Sequence, residues 1–416
     1  MEFTDHCSEP SNSLSLEDAQ ARIQKAVPQI TGVDNVPLKL ARGRVLAVTI
    51  AAPNDLPPFP NSAMDGYAFR HEDISVNKCA TLTVVGTSFA GKPYQGNLGS
   101  GECVRIFTGA AMPVGADTVI MQEDVTKDST VIRLNRAIVP FANVRPAGDE
   151  IHRDECLLES GKLLQYAELG LLASAGLPFV TVTRKLRVAY FSTGDELRSV
   201  GEALDFGQIY DSNRYLLHSL LGHPAIETID MGVVTDDAPT VKQALLDASR
   251  QADVIISSGG VSVGDADFVA ASLAELGQID FWKVAVKPGK PFAFGKIGSA
   301  CFFGLPGNPV AVLVTFQQLV RSALLSMMGT HPTPPLRLRA VSRTQLKKSP
   351  GRMEFQRGLF EADGIGGFTV TGLDRQGSHQ LLGVSRANCF IVLPKDNKGV
   401  MPGEPVEIEP FVDSSF

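Results

Sequence analysis

The sequence predicts a multidomain α/β protein: a central three-layer α/β/α domain built on a mostly parallel sheet, with β-rich regions before and after it. Three observations carry that prediction. A chain of 416 residues exceeds one ordinary core, since domains run to roughly 150 residues. Between about residues 186 and 328, buried strand-like runs alternate with helical patterns, the βαβ rhythm that builds a parallel sheet covered on both faces. Proline-rich breaks at 52–60 and 332–335 set that stretch apart from short β-rich segments.

Each element has its own reason. Leu16, Ile23, Ala26 and Val27, opened by Ser15 as N-cap with Asp18 three residues on, spell a short amphipathic helix. Pro53, Pro57, Pro58 and Pro60 forbid a helix or central strand and mark a boundary. Runs at 81–85, 102–107, 118–122 and 130–134, rich in β-branched residues and separated by Gly, Pro and Asp turns, form a small β domain. A Leu/Ala-rich helix at 167–175, stopped by Gly176 and Pro178, packs back on the N-terminal helix, which makes the first domain discontinuous. Central strands are expected at 186–191, 226–234, 253–257, 281–286 and 301–305, with helices at 214–221, 239–250, 268–276 and 309–327 between them. Short strands at 336–341, 368–371, 389–393 and 405–409 close the chain as a small β-barrel or sandwich. The expected domains are therefore 1–52 with 146–183, 53–145, 184–330 and 331–416.

Composition narrows the function. With 45 acidic against 38 basic side chains, the formal charge is −7, so no overall positive field draws in nucleic acid or an anionic membrane. The six cysteines are scattered, with no CxxC pair and no Cys/His cluster, which argues against a disulfide framework and a structural metal and fits a reduced, cytoplasmic setting. The first ten residues carry acids, a His and a Pro where a signal peptide needs a basic start and an apolar run. The uncharged run 297–320 is broken by Pro306, Gly307, Asn308 and Pro309 and reads as strand, turn and buried helix rather than a membrane span. GTSFAGK (86–92) fails as a P-loop because Pro93 stands where a hydroxyl must hold the metal; GxGxxG after a strand and HExxH are absent.

The loops leaving a parallel sheet's strands share one edge, and ligands bind there. Here those loops read STGDE (192–196), TDD (235–237), SGGVSVGDAD (258–267), KPGKP (287–291) and LPGNP (305–309). Any one of them is explained by helix capping and turn chemistry; Asn308 and Pro309, for instance, suit the N-cap and first position of a helix. Their convergence favours a binding site. Gly259, Gly260 and Gly264 let backbone approach an oxyanion, Lys287 and Lys290 supply positive charge, and the carboxylates point to a divalent cation such as Mg²⁺, which takes one or two carboxylates plus waters and phosphates. A distant polar loop, 61–67, and later Phe355 to Gly358 and Gln376 to His379, add candidate contacts, Arg357 being suited to bidentate anion binding.

The ordered set NSAMDGYA (61–68), RIFTGA (105–110), STGDEL (192–197), IYDSN (209–213), SSGGVSVGDAD (257–267), KPGKPFAFG (287–295) and GLPGNPV (304–310) resembles the MoeA family, the molybdopterin molybdenumtransferases. The match runs from about residue 14 to the C-terminus. It implies a discontinuous N-terminal domain, a β domain, an α/β domain like that of molybdopterin adenylyltransferases and a C-terminal β-barrel. It also implies an elongated homodimer whose site is completed by the other chain, and a transient contact with the adenylyltransferase. The implied reaction is the last step of molybdenum cofactor assembly, in which molybdate enters the dithiolene of adenylylated molybdopterin and AMP leaves, with Mg²⁺ required.

Carried over by motif, Asp65, Thr108, Glu196, Asp236, Asp267, Lys283 and Lys287 stand at catalytic positions. Ser258, Gly259, Gly260, Ser262, Gly264, Lys290, Pro306, Pro309, Arg357 and Ser378 stand at substrate-binding ones. In this reading Asp236, Asp267 and Glu196 serve the metal or the pyrophosphate, Lys283 and Lys287 bind anionic oxygens, and Arg357 and Ser378 add anion contacts. Asp65 and Thr108 come from the partner chain. One departure is the order Asp149, Glu150 where relatives commonly carry Glu then Asp. The resemblance leaves room for two other readings, an adenylyltransferase on the same scaffold and a receptor-anchoring scaffold like gephyrin.

Overall fold

The computed structural model describes residues 13–76, 81–260 and 268–411, and the chain divides into two compact units. The first helix, α1 (Leu16–Ala26), belongs to the larger one. Ser15 caps it by accepting from the Asp18 N–H at 3.0 Å, as the sequence predicts. Within that unit α1 is held by two side-chain hydrogen bonds: Gln20 donates to the Gln318 carbonyl at 2.8 Å, and Ser326 donates to Gln24 at 2.6 Å.

The smaller unit, residues 36–41 and 48–180, is organised by a six-stranded sheet. Its strands are β1 (Gly66–Phe69), β2 (Thr81–Ser88), β3 (Glu102–Ile106), β4 (Thr118–Met121), β5 (Val125–Asp128) and β6 (Val131–Leu134), in spatial order β4-β1-β3-β2-β6-β5. Tyr67, Phe69, Leu82, Cys103, Ile120 and Ile132 fill one face. Gly86 lies inside β2, and residues 89–92 form a turn closed by Phe89 and Lys92, so the P-loop look-alike is a strand end and a turn. A helix, α2 (Tyr166–Ser174), sits near the end of the unit, its Gln165 and Glu168 forming a reciprocal capping box.

The larger unit contains the predicted α/β layer. In chain order it runs β7 (Leu186–Thr193), α3 (Ser212–Leu220), β8 (Ile226–Val234), α4 (Ala238–Gln251), β9 (Val254–Ser258), α5 (Phe268–Leu276) and β10 (Gly277–Lys283). There follow β11 (Val286–Lys287), β12 (Pro291–Ile297), β13 (Ala300–Leu305) and a long helix, α6, from Pro309 to Met327 with a π-helical turn at Phe316–Val320. The sheet order is β8-β7-β9-β13-β12-β10. Ala189 and Phe191 of β7 enter the core beneath Val241 and Leu245 of α4 and Val269 and Leu273 of α5. Tyr190, between them, points the other way and bonds His218 of α3 at 3.1 Å, so strand alternation itself sets helices on both faces.

Two expectations change here. The strand expected at 281–286 is two elements, β10 and β11, and β12 is a strand the sequence does not predict, only its first residue, Pro291, falling in the expected KPGKP loop. Phe292 and Phe294 are fully buried in β12, but Pro291 and the preceding KPG disguise its start. The sheet is mostly parallel, as expected; β12 runs antiparallel to both β13 and β10, the two residues between Ile297 and Ala300 sufficing only for a β12–β13 hairpin. The run at 297–320 is strand, turn and helix as expected. α6 is long and apolar enough to cross a membrane, yet 72% of its most apolar window is buried in the protein.

The C-terminal strands are β14 (Leu338–Ser342), β15 (Met353–Ala362), β16 (Phe368–Gly372), β17 (Cys389–Leu393) and β18 (Pro405–Pro410), with a short helix, α7 (Leu381–Arg386), before β17. Their order β15-β16-β14-β18-β17, closed by a β15–β17 pairing, makes a five-stranded barrel. β15, the longest of these five, is like β12 a strand the sequence does not predict. Among the described residues Cys103, Cys156, Cys301 and Cys389 are free thiols.

Candidate functional site

The strand register decides which loops meet. Thr193 pairs with Val234, Ser192 with Ser258, Ser258 with Leu305, Ala293 with Gly304, and Lys283 with Pro291. Because β12 is reversed, its first residue lies at the same edge as the last residues of its neighbours. The STGDE, TDD, SGG, KPGKP and LPGNP segments therefore share one edge of one sheet.

Two glycines keep that edge open. Gly259 sits at φ +90°, and a Cβ there would lie 2.5 Å from the Thr193 carbonyl oxygen; at Gly260, φ +63°, it would lie 2.5 Å from Val269 Cγ2. Both backbones adopt a left-handed conformation that side chains rarely take, with no room for one. Ser258 is 1% exposed. Its hydroxyl accepts from Asn213 Nδ2 at 2.8 Å, and the same Asn213 amide donates to the Gly307 carbonyl at 2.7 Å. Asn213 thus ties the SGG turn to the LPGNP turn, a role of the IYDSN motif that spacing alone does not reveal. Ser262, Gly264 and Asp267 lie outside the described residues.

The TDD turn separates its aspartates. Asp237 caps α4, accepting from the Thr240 N–H and the Thr235 hydroxyl, both at 2.9 Å, and these bonds hold its carboxyl below the usual aspartate range. Asp236 is pushed the other way, first by burial and then by the charges of Asp195, Glu196 and Asp237. Its Oδ1 is buried without a hydrogen-bond partner, while its N–H donates to Asp195 Oδ1 at 3.2 Å. An unsatisfied, charge-crowded carboxylate oxygen is what a cation would relieve. Among the described residues no three Asp, Glu, His or Cys side chains come together closely enough to enclose a metal. The donor set fits a cation that takes a couple of carboxylates and completes its shell with water and substrate phosphate.

Beside this edge lies a cavity of about 340 Å³ lined by Lys287, Lys290, Pro306, Arg352, Glu354 and Ser378, among others. The Val310 N–H donates to the Ser378 carbonyl at 3.0 Å, which docks the C-terminal 376–378 turn against the start of α6. Arg357 is fully buried behind that turn. Its Nη2 donates to the carbonyls of Arg375 at 2.7 Å and Gly377 at 3.2 Å, while Nε and Nη1 have no partner. Burial lowers its pKa from the arginine value, yet guanidinium stays charged, so an uncompensated cation backs the cavity. Lys283 ends β10 at the same edge, and Pro309 opens α6; neither lines the cavity. Arg352 and Glu354 do, and the sequence singles out neither, since its candidate contacts begin at Phe355, one residue past Glu354.

In the smaller unit, Asp65 Oδ1 accepts from both the N–H and the hydroxyl of Thr108, each at 2.8 Å. The Thr108 N–H, then its hydroxyl, hold this exposed carboxyl below the usual range, with Arg105 adding to the effect. Arg105 stacks over the Tyr67 and Phe107 rings, 5.1 and 4.8 Å from their centroids. NSAMDGYA and RIFTGA, far apart in sequence, are thereby joined. Asp149 and Glu150 are exposed.

Comparison with known proteins agrees along the whole chain. Residues 14–176 match the MoeA N-terminal region, residues 189–326 a probable molybdopterin binding domain, and residues 339–411 the MoeA C-terminal region. A molybdopterin molybdenumtransferase of Haemophilus influenzae is 44% identical over 400 residues, covering 96% of this chain and 98% of that one. One of Nostoc sp. is 36% identical over 407 residues, covering 94% and 92%. The crystal structure of a molybdopterin biosynthesis MoeA protein of Pyrococcus horikoshii superposes with a TM-score of 0.80 at 32% identity, covering 96% of this chain and all of that one. With ordered motifs, a shared architecture and full-length similarity in agreement, the chain belongs to the MoeA family, transferases of molybdenum cofactor biosynthesis.

Proposed function

We propose that this protein inserts molybdenum from molybdate into adenylylated molybdopterin, with release of AMP and dependence on Mg²⁺. The observation that carries the reading is the cationic cavity of Lys287, Lys290 and Arg352, backed by the buried Arg357, beside the carboxylate-bearing sheet edge. Molybdate is a tetrahedral dianion. It asks for ammonium, guanidinium and N–H donors in a site from which water is partly excluded. Lys287, Lys290 and Ser378 would bind its oxygens, with Arg357 setting the potential from behind. The Gly259–Gly260 backbone, where no side chain fits, would lie against the substrate's phosphates, the Gly259 N–H itself being spent on the Leu305 carbonyl at 3.1 Å.

Asp236 and Glu196, with Asp267, would hold Mg²⁺, whose role is to neutralise charge on the pyrophosphate link. Lys283 would steady the same anionic oxygens. Asp65, ionised and fixed by Thr108, would act on the pterin and metal side of the site of the opposite protomer in a homodimer. The adenylyltransferase that makes the substrate would contact this enzyme transiently, and the cytoplasm is the setting for both.

The test is purified protein with adenylylated molybdopterin, molybdate and Mg²⁺. AMP release should require molybdate and should drop by about 100-fold or more in Lys287→Met, as when an anion-stabilising donor is removed. AMP release at the same rate without molybdate, or ATP-dependent adenylylation of molybdopterin by this chain alone, would replace the proposal with hydrolase or adenylyltransferase activity.

A further inference from the structure

Among the described residues Glu354 is the one carboxylate in the lining of the cationic cavity, and it is 6% exposed. A buried acid facing a site for an anion is a cost unless it does something there. Parallel pairing of β11 with β15 sets Lys287 directly beside Glu354, and their side chains meet, Nζ to Oε1, at 3.4 Å. The same Oε1 accepts from Gln356 Nε2 at 3.0 Å, and Gln356 is itself anchored on the Lys347 carbonyl at 2.8 Å. The carboxylate is thus fixed from its own strand, independently of the lysine. Lys287 is different: half its side chain is exposed, and a four-carbon stem in that state samples many rotamers. Lys348 also feels the Glu354 charge, but its own hydrogen bonds go to the carbonyls of Ser349, Lys395 and Asn397 at 3.1 to 3.2 Å.

We propose that Glu354 is the positioning residue for Lys287: an immobile carboxylate that holds the ammonium at the cavity wall, where an incoming tetrahedral oxyanion meets it already placed. This rests on the reading that the cavity takes molybdate. The idea has a sign that separates it from simple electrostatics. If Glu354 were only a negative charge near an anion site, neutralising it would tighten anion binding; if it positions Lys287, neutralising it loosens binding.

The experiment is molybdate titration by calorimetry on the full chain, for wild type, Glu354→Gln, Lys287→Met and the double variant, with molybdate KM and kcat for each. Glu354→Gln should weaken molybdate binding and raise its KM by about tenfold, leave the KM for adenylylated molybdopterin unchanged, and have no further effect in the Lys287→Met background. Equal or tighter molybdate binding by folded Glu354→Gln, or an effect that adds to that of Lys287→Met, would overturn the positioning role while leaving the cavity reading intact. Molybdate binding indifferent to Lys287→Met would remove the cavity reading itself. Should Glu354→Gln fail to fold, Glu354→Asp, which keeps the charge but withdraws it by one methylene, should loosen molybdate binding in the same direction, and unchanged binding would count as the same refutation.

Discussion

Asp236 and Asp237 are chain neighbours of one residue type, and the fold drives their protonation in opposite directions. Asp237 is satisfied by capping α4; Asp236 is half-buried among like charges with an oxygen left unpaired. The sign follows. A carboxyl whose folded pKa is raised costs stability once pH passes its unfolded value of about 3.9, and the cost is complete above the folded value. Asp236→Asn should therefore raise the melting temperature at pH 7 without Mg²⁺, by an amount worth about 1 kcal/mol or less because the group is partly solvated. If Mg²⁺ is held at Asp236 as proposed, it should stabilise the wild type, and the same variant should abolish that stabilisation. Because protons and the cation compete for one oxygen, the Mg²⁺ needed for half-maximal stabilisation should increase as pH falls through the raised pKa. Thermal melts across a pH and Mg²⁺ grid measure both effects, and a flat response in the wild type would disconnect Asp236 from the cation. The TDD motif showed that carboxylates gather here; which of them is spent on a helix cap appears only once α4 is in place.

At the scale of elements, the site depends on strand ends staying in register. Asp253, just before β9, accepts both Nη atoms of Arg184 at 2.7 and 2.8 Å and the Arg187 N–H at 2.9 Å, linking β9 to the start of β7. Burial pushes its carboxyl up, but Arg184 and the Arg187 N–H outweigh it, and the net pKa is lowered. That stability is present above the unfolded pKa of about 3.9 and is lost as pH falls through the lower folded value. Asp253→Asn should cost about 2 kcal/mol at pH 7 and converge on the wild type in strong acid, as urea melts at a series of pH values would show. Undiminished stability at neutral pH would mean that the pair is replaced by water. β12 and β15 illustrate what periodicity misses. Both are largely buried at consecutive positions, so neither alternates as a half-exposed strand does, and each begins near glycine and proline that read as loop.

At the scale of the whole molecule, two constellations stand apart in the chain. Asp65, Thr108 and Arg105 are joined within the smaller unit, while Asp236, Lys287, Arg357 and Ser378 are gathered within the larger. If the working site takes its Asp65 from the second protomer of a dimer, mixed dimers should reveal it. Asp65→Ala and Asp236→Ala, each inactive alone, should recover about a quarter to a half of wild-type activity when unfolded and refolded together, since a mixed dimer regains one intact site. No recovery in dimers verified as mixed would place both residues in the same protomer's site. The amino-acid sequence by itself determined the family, through an ordered series of motifs, and the α/β core, through apolar runs alternating with helix patterns, because both are local properties of the chain. Tertiary structure alone decided the reversed β12 that brings KPGKP to the common edge, the burial that distinguishes Asp236 from Asp237, and the parallel pairing that sets Glu354 against Lys287. These depend on strand order and desolvation, which arise between segments distant in the chain and leave no periodic trace within any one of them.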